Sequence, residues 1–273
     1  MLLEYLIYAT TFYLIGCQKT PQLTSNLNIT TKSKYNYEKG PILIESRERV
    51  VIITLNRPDL NMKMYEQLKN EIQYFDGSNR NTRCIVITGI DKIFCAGIDL
   101  KEYVDDPNEI KDFEKKFFNF MKDLSIPIIA YVNGYCVGSG FTLALNCDFI
   151  VAKESAQFVY PNINIGKILR NDEIDNFKNI VGMNTSKYLL LTGKSLDASE
   201  AKRLNIVQDI VSDNDTLPDY IDHISKFPQQ LLEKVKNQFT VDNDFFHPAL
   251  DDIEKEGIKA ILEKRKPDWK RFE

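Results

Sequence analysis

The chain has 273 residues, of which 43% are hydrophobic and 27% charged, with a formal net charge of −4. That is the make-up of an ordinary globular protein with one large core or two small ones. The slightly acidic balance supplies no positive field to recruit nucleic acid or an acidic membrane surface, so an anionic ligand must be met by a local cluster of lysines.

The first segment, MLLEYLIYATTFYLIGC (1–17), is strongly apolar. It is short for a membrane span, and Glu4 interrupts the basic start of a secretory signal. Residues 14–17 have the form of a lipoprotein cleavage box, a short motif of low specificity. Residues 18–39 are rich in Thr, Ser, Asn and Lys. Residues 1–40 therefore read as a leader, an anchor or a tether, and membrane association is expected only if 1–17 is an anchor. From Pro41 the pattern is regular. ILIESRERVVIITL (42–55) has the alternation and β-branched content of a hairpin turning at 46–49. The spacing over 64–75 predicts a helix, and CIVITG (84–89) a strand covered on both faces. A helix, a strand at 127–134, a helix and a strand at 148–154 follow. Beyond Gly182 the pattern is helical, at 184–191, 197–204, 216–226, 229–239 and 249–264, with Asn205 where a left-handed residue is wanted. Strands alternating with helices imply βαβ units with right-handed crossovers. No internal repeat is visible, and the reading is one α/β domain over 41–273, with a core at 41–195 and a helical tail at 196–273.

The five cysteines form no Cys-x-x-Cys pair. Cys84, Cys136 and Cys147 lie among apolar residues and read as small hydrophobes in a reducing compartment. His223 and His247 are the only histidines and lie far apart in polar settings, so neither a metal site nor a metal cofactor is expected.

Two stretches place glycine ahead of a helix after a buried strand: FCAGIDLKEY (94–103) and NGYCVGSGFTLAL (133–145). Each aims unpaired backbone N–H groups out of a helix start, where the dipole also favours negative charge. Two such starts converging would form an oxyanion hole for a carbonyl that gains charge during reaction. Either motif alone reads first as a tight turn packing helix on sheet, and neither is a phosphate loop.

Taken together, the motifs resemble the crotonase superfamily, which includes enoyl-CoA hydratases and isomerases. LNRPDLN (55–61), IVITG (85–89), FCAGIDLKEY, the run 126–166, LLLTGKSLDASEAKRLNIVQDIV (189–211) and EGIKAILEKRKPDW (256–269) fall in the family's order over residues 40–273. The resemblance implies a spiral of ββα units with a C-terminal helical trimerisation region, a homotrimer or dimer of trimers, and an acyl-CoA thioester as ligand. CoA enters as part of the substrate, with no separate cofactor, in acyl-CoA or fatty-acid metabolism of the cytosol or mitochondrial matrix. Carried over by position, the oxyanion hole is the backbone N–H of Ile98 and of Ser139. Ser139 stands where glycine is usual, and its side chain narrows the slot. Lys92, Ala96, Gly97, Lys101 and Gly138 fall on the CoA and thioester path, Phe246 matches an acyl-pocket aromatic, and Lys264 a lysine reaching a neighbouring subunit's CoA. Taken alone, each lysine reads as a solvated surface group.

The family's acid–base carboxylates are missing. The first hydratase glutamate falls at Thr142, the second at Asn162, and the glutamate of peroxisomal-type isomerases at Arg170. Asp172 and Glu173 lie nearby, although carboxylates at a helix start are commonly caps. The tail between Phe239 and Phe246 is also shorter than in typical members. Three readings follow: a hydratase or isomerase with a displaced carboxylate, Glu173 or Asp172; a decarboxylase that needs only the oxyanion hole, with Tyr160 and His247 as polar helpers; or an inactive acyl-CoA-binding or oligomer-supporting homologue.

Overall fold

The computed structural model describes residues 40–77, 81–215, 217–239 and 248–272. The expectations for residues 1–39, Phe246 and His247 lie outside them. The hairpin forms as read: β1 (Ile42–Arg47) pairs antiparallel with β2 (Val50–Leu55). β3 (Cys84–Gly89), β5 (Ile128–Val132), β7 (Phe149–Lys153) and β10 (Asp209–Val211) extend it in parallel, in the order β1-β2-β3-β5-β7-β10.

Period-two alternation sorts these strands between two cores. Val51, Ile53, Ile85, Ile87, Ile128, Ala130, Ile150 and Ala152 face the main core, while Val50, Ile52, Cys84, Val86, Ile129, Tyr131 and Val151 face a second one. Both faces are covered, which is why the strands read as continuous apolar runs.

A second sheet was not visible in the sequence. Its strands, β4 (Ile93–Cys95), β6 (Tyr135–Val137), β8 (Gln157–Val159) and β9 (Leu196–Asp197), have at most three residues, too few for periodicity to register. They pair in the order β4-β6-β8-β9. The sequence also hid a structural repeat. β3 then β4, β5 then β6, and β7 then β8 each send one strand to the large sheet and the next to the small one, all pairing in parallel with the preceding unit. This is the spiral that the resemblance implied. The segment after residue 195 is not only helical, because β9 completes the small sheet and β10 the large one.

The helices are α1 (Met62–Gly77), α2 (Leu100–Asp105), α3 (Pro107–Lys122), α4 (Ser139–Leu145), α5 (Asn171–Val181), α6 (Met183–Thr192), α7 (Ala198–Arg203), α8 (Asp219–Ile224), α9 (Gln229–Asn237) and α10 (Pro248–Leu262). Asn205 is left-handed, at φ 60°. Among the described residues no helix is long and apolar enough to cross a membrane.

Candidate active site

The site is built where the LNRPDLN turn, the loop after β4 and the start of α4 meet. The turn clamps the loop by backbone. Ala96 N–H donates to Pro58 O (2.6 Å), Leu60 N–H to Gly97 O (2.7 Å) and Asp99 N–H to Leu60 O (2.8 Å). The Arg57 guanidinium ties Asp59 (2.8 Å) to Asp99 (2.9 Å), and Asp99 caps α2 through Lys101 N–H. Leu60 and Ile98 form a parallel bridge in which Leu60 bonds the residues on either side of Ile98. The Ile98 N–H therefore points away from the turn, as the alternation of an extended chain requires.

The loop itself lies against the start of α4. Gly97 sits at φ 96°, and a Cβ placed there would lie 3.0 Å from Val137 O and 3.6 Å from Ser139 N. The loop thus rests directly against the helix start. Gly138, at φ 54° and ψ −120°, turns the chain into α4 with a backbone that side-chain-bearing residues rarely adopt. Among the described residues, the Ile98 N–H and the first-turn N–H groups of Ser139, Gly140 and Phe141 have no backbone acceptor. Ile98 and Ser139 are both nearly buried, and two donors at a dry helix start suit an oxygen that gains negative charge.

One turn along α4, Thr142 is the hub of a buried polar chain. Its hydroxyl donates to Glu173 Oε1 (2.9 Å) and lies 3.1 Å from the Tyr160 hydroxyl. Glu173 comes from the first turn of α5, and its other oxygen accepts the Arg170 N–H at 2.9 Å. It is therefore a cap, as the sequence suggested, and at the same time a partner of Thr142. Its pKa is raised by burial and by Glu114, against the opposing pull of Arg170 and the Thr142 hydrogen bond. Asp172 differs. It is partly exposed, paired with Arg170 at 3.1 and 3.2 Å, and held below the usual carboxylate range mainly by that guanidinium against a desolvation cost. A carboxylate held down in this way is a poor base.

The structure thus brings Ile98, Gly97, Gly138, Ser139, Thr142, Tyr160, Arg170 and Glu173 into one region. Asn162 joins them: its side-chain oxygen lies 3.8 Å from where a Gly138 Cβ would stand. Tyr160 stacks on Phe141 at 4.7 Å and meets the edge of Phe177 at 5.3 Å, which fixes its hydroxyl. Ala96 is half-buried beside the clamp. Lys92, Lys101 and Lys264 are exposed, and Lys264 lies in the turn after α10 at φ 53°.

Comparisons with known proteins identify the family. A family model described as enoyl-CoA hydratase/isomerase matches residues 45–271. The chain belongs to that family. A probable enoyl-CoA hydratase of Mycobacterium leprae is 31% identical over 251 residues, covering 84% of this chain and 97% of the relative. The 2,3-dehydroadipyl-CoA hydratase of Escherichia coli is 30% identical over 251 residues, covering 84% and 98%. A probable mitochondrial enoyl-CoA hydratase of Dictyostelium discoideum is 29% identical over 247 residues, covering 82% and 89%. Among solved structures, the enoyl-CoA hydratase of Mycobacterium smegmatis superposes with a TM-score of 0.73 at 27% identity, covering 84% of this chain and 98% of that one.

Within this enoyl-CoA hydratase/isomerase family member, two residues of the polar cluster escaped the sequence reading. Glu114 of α3 is buried, accepts the Tyr65 hydroxyl at 2.9 Å, and lies 3.5 Å from Arg170 and 3.8 Å from Lys167. The signal was present. Ile110, Glu114, Phe117, Phe118 and Met121 are the buried positions of α3, so Glu114 is a carboxylate in the apolar stripe of an amphipathic helix. Tyr65 stands likewise among the buried positions of α1. Neither carries a family motif, and their partnership needed the packing of α1 on α3.

Proposed function

We propose that this protein is an acyl-CoA isomerase in which Glu173 performs the proton transfer from a displaced position. The thioester oxygen is held by the N–H groups of Ile98 and Ser139. The C–H bond at carbon 2 of a 3-enoyl thioester breaks, its proton passes to the Glu173 carboxylate, and the electron pair moves into the dienolate held by the two N–H groups. The same carboxyl then delivers a proton to carbon 4, either the one it took or one exchanged with solvent, and the double bond comes to rest between carbons 2 and 3. One carboxyl group serves both steps, so no paired glutamate is required.

The observation that carries this reading is the 2.9 Å hydrogen bond from Thr142, at the position of the family's first hydratase glutamate, to a buried carboxylate with a raised pKa. Ser139 and Thr142 are three apart on one helix, so their side chains share a face about 5–6 Å apart. The carboxyl of Glu173 is thus one helical turn and one hydrogen bond from the oxyanion donors. Hydration would need a second carboxylate to hold the water, and Asn162 occupies that place. Decarboxylation would need no base, and Glu173 would then serve only as the cap of α5 and the partner of Thr142.

The exposed Lys92 and Lys101 suit CoA phosphates, and Lys264 the CoA of a neighbouring subunit. Exposed Ile258, Ile261 and Leu262 on α10 suit a trimer contact. The cytosol or mitochondrial matrix, where CoA thioesters are found, is the setting we infer. The test is turnover of a 3-enoyl-CoA, crotonyl-CoA and methylmalonyl-CoA by the full chain and by Glu173→Gln. Isomerisation lost in the variant supports the proposal. Decarboxylation, or isomerisation unchanged in the variant, overturns it, and binding without turnover identifies an inactive homologue.

A further inference from the structure

We propose that Glu114 is a positioning residue that governs the protonation of Glu173 by sharing Arg170 with it. The inference rests on the reading of Glu173 as the proton-transfer group. Its foundation is the geometry of one guanidinium among three carboxylates. Arg170 Nη1 lies 3.5 Å from Glu114 Oε2 and 3.6 Å from Glu173 Oε2, while Nε and Nη2 hold Asp172 at 3.1 and 3.2 Å. Glu114 and Glu173 are both buried, on α3 and α5 respectively, and Arg170 stands between the two helices as their shared cation.

An undivided Arg170 would hold Glu173 ionised and weakly basic, as a close guanidinium does to a carboxylate. Division weakens that hold. Glu114 draws part of the Arg170 charge and adds its own negative charge near Glu173, and both effects favour the protonated form. The other groups facing Glu173 are accounted for. Tyr160 and Thr142 approach from the β8 turn and α4, Tyr65 acts from α1 through Glu114, and Asp172 shares its own helix start. Lys167 adds a second cation beside Glu114, with its amine 4.9 Å over the Tyr103 ring. Lys122, at the end of α3, acts on Asp172. Glu114 is thus the anionic counterweight on the far side of Arg170.

The design is a single carboxylate poised between base and acid. A proton shuttle has to take a proton and release it in one turnover, and efficiency is greatest when its pKa lies near the working pH. A family site with two glutamates can divide these roles. A site with one needs its environment to hold that one in between.

The test reads the Glu173 carboxyl directly. Glutamate labelled with ¹³C at the side-chain carboxyl is introduced into the full chain, Glu173 is identified by its loss in Glu173→Gln, and its titration is followed by NMR. Glu114→Gln keeps the side-chain volume and an oxygen for the Tyr65 hydroxyl. It is expected to lower the Glu173 pKa by about one to two units, the scale of two charges roughly 7 Å apart at an effective dielectric near 20. The acid limb of the kcat/KM profile should move down with it. In an Arg170→Gln background only the direct repulsion from Glu114 remains, so the same Glu114→Gln change should still lower the Glu173 pKa but by less, the difference being the part that passes through the shared cation.

An unchanged Glu173 pKa in Glu114→Gln overturns the proposal, and a full-sized shift persisting without Arg170 overturns the sharing of that cation. Glu114→Asp, which keeps the charge, serves as a folded control and should preserve most of the wild-type titration. The two readings fail separately. If Glu173→Gln stays active while the titration shifts as described, the isomerase reading falls and the coupling stands.

Discussion

Replacing Thr142 by valine removes the one hydroxyl that joins Glu173 to Tyr160 while keeping the β-branched shape, so the packing of α4 is preserved. The lost bond is buried and ends on a carboxylate 2.9 Å away. With Glu173 ionised, such a bond is worth about 1.5–3 kcal/mol; with Glu173 protonated, the neutral value of about 0.5–1.5 kcal/mol applies. The sign of the pH dependence follows from the direction of the shift. The folded pKa of Glu173 is raised above its unfolded value. The native state therefore binds more protons in the window between the two, and the contribution of Glu173 to stability falls as pH rises through that window. The Thr142 hydrogen bond opposes the rise, so its removal pushes the folded pKa higher still. Urea unfolding of wild type and Thr142→Val should show the smaller cost at a pH below the folded Glu173 pKa and the larger at a pH above it (about one to two kcal/mol apart by the same bond energies). An equal cost at both values would mean that Thr142 does not face an ionising carboxylate, and would refute the reasoning.

Other expectations follow from the same contacts. Ser139→Pro deletes an oxyanion N–H at the first helical position, where proline is tolerated. Turnover should drop about 10²–10³-fold, as for loss of one oxyanion donor, with little change in thermal midpoint. Gly138→Ala forces a Cβ onto φ 54° and ψ −120° and should cost about 1–3 kcal/mol in denaturant titration. Asp172→Asn removes a carboxylate that is already pinned and partly exposed, and should leave turnover within about tenfold of wild type while Glu173→Gln loses about 10²–10⁴-fold, the range of a general acid–base contribution. Glu256, held down to about 2 by Arg265, the Asp268 N–H and Arg271, ties the last turn Trp269–Phe272 to α10. Its folded pKa is depressed, so the tie is present above the ordinary carboxylate value and is lost as pH falls through about 2. Fluorescence of Trp269, the single tryptophan, should hold steady down to about pH 3 in wild type and be altered at neutral pH in Glu256→Gln.

What the sequence disclosed was decided by period and by glycine. Strands of five or six residues such as Cys84–Gly89 showed as apolar runs, and the clamp at Gly97 and Gly138 showed because only glycine serves there. Three-residue strands carry no period, so the small sheet stayed hidden. Thr142 and Asn162 stood out at once, because they depart from the pattern that the family resemblance implies. What replaced the family's glutamates was half visible: Glu173 and Asp172 could be named, but not told apart. Telling them apart required the first turn of α5, which points Glu173 inward to Thr142 and leaves Asp172 at the rim with Arg170. Glu114 lies 59 positions before Glu173 in the chain and meets its network only through Arg170. That relation exists in the reach of Arg170, at the start of α5, to Glu114 on α3 and in no local stretch of sequence.

The most direct measurement is hydrogen exchange on the substrate itself. The full chain is incubated in D2O with a 3-enoyl-CoA, and deuterium entering carbons 2 and 4 of substrate and product is followed by mass spectrometry and NMR. This reports the dienolate independently of net turnover. The account predicts exchange by wild type and by Asp172→Asn, with a loss of at least about hundredfold in Glu173→Gln. Exchange that survives Glu173→Gln undiminished would contradict it and move the proton transfer to another group.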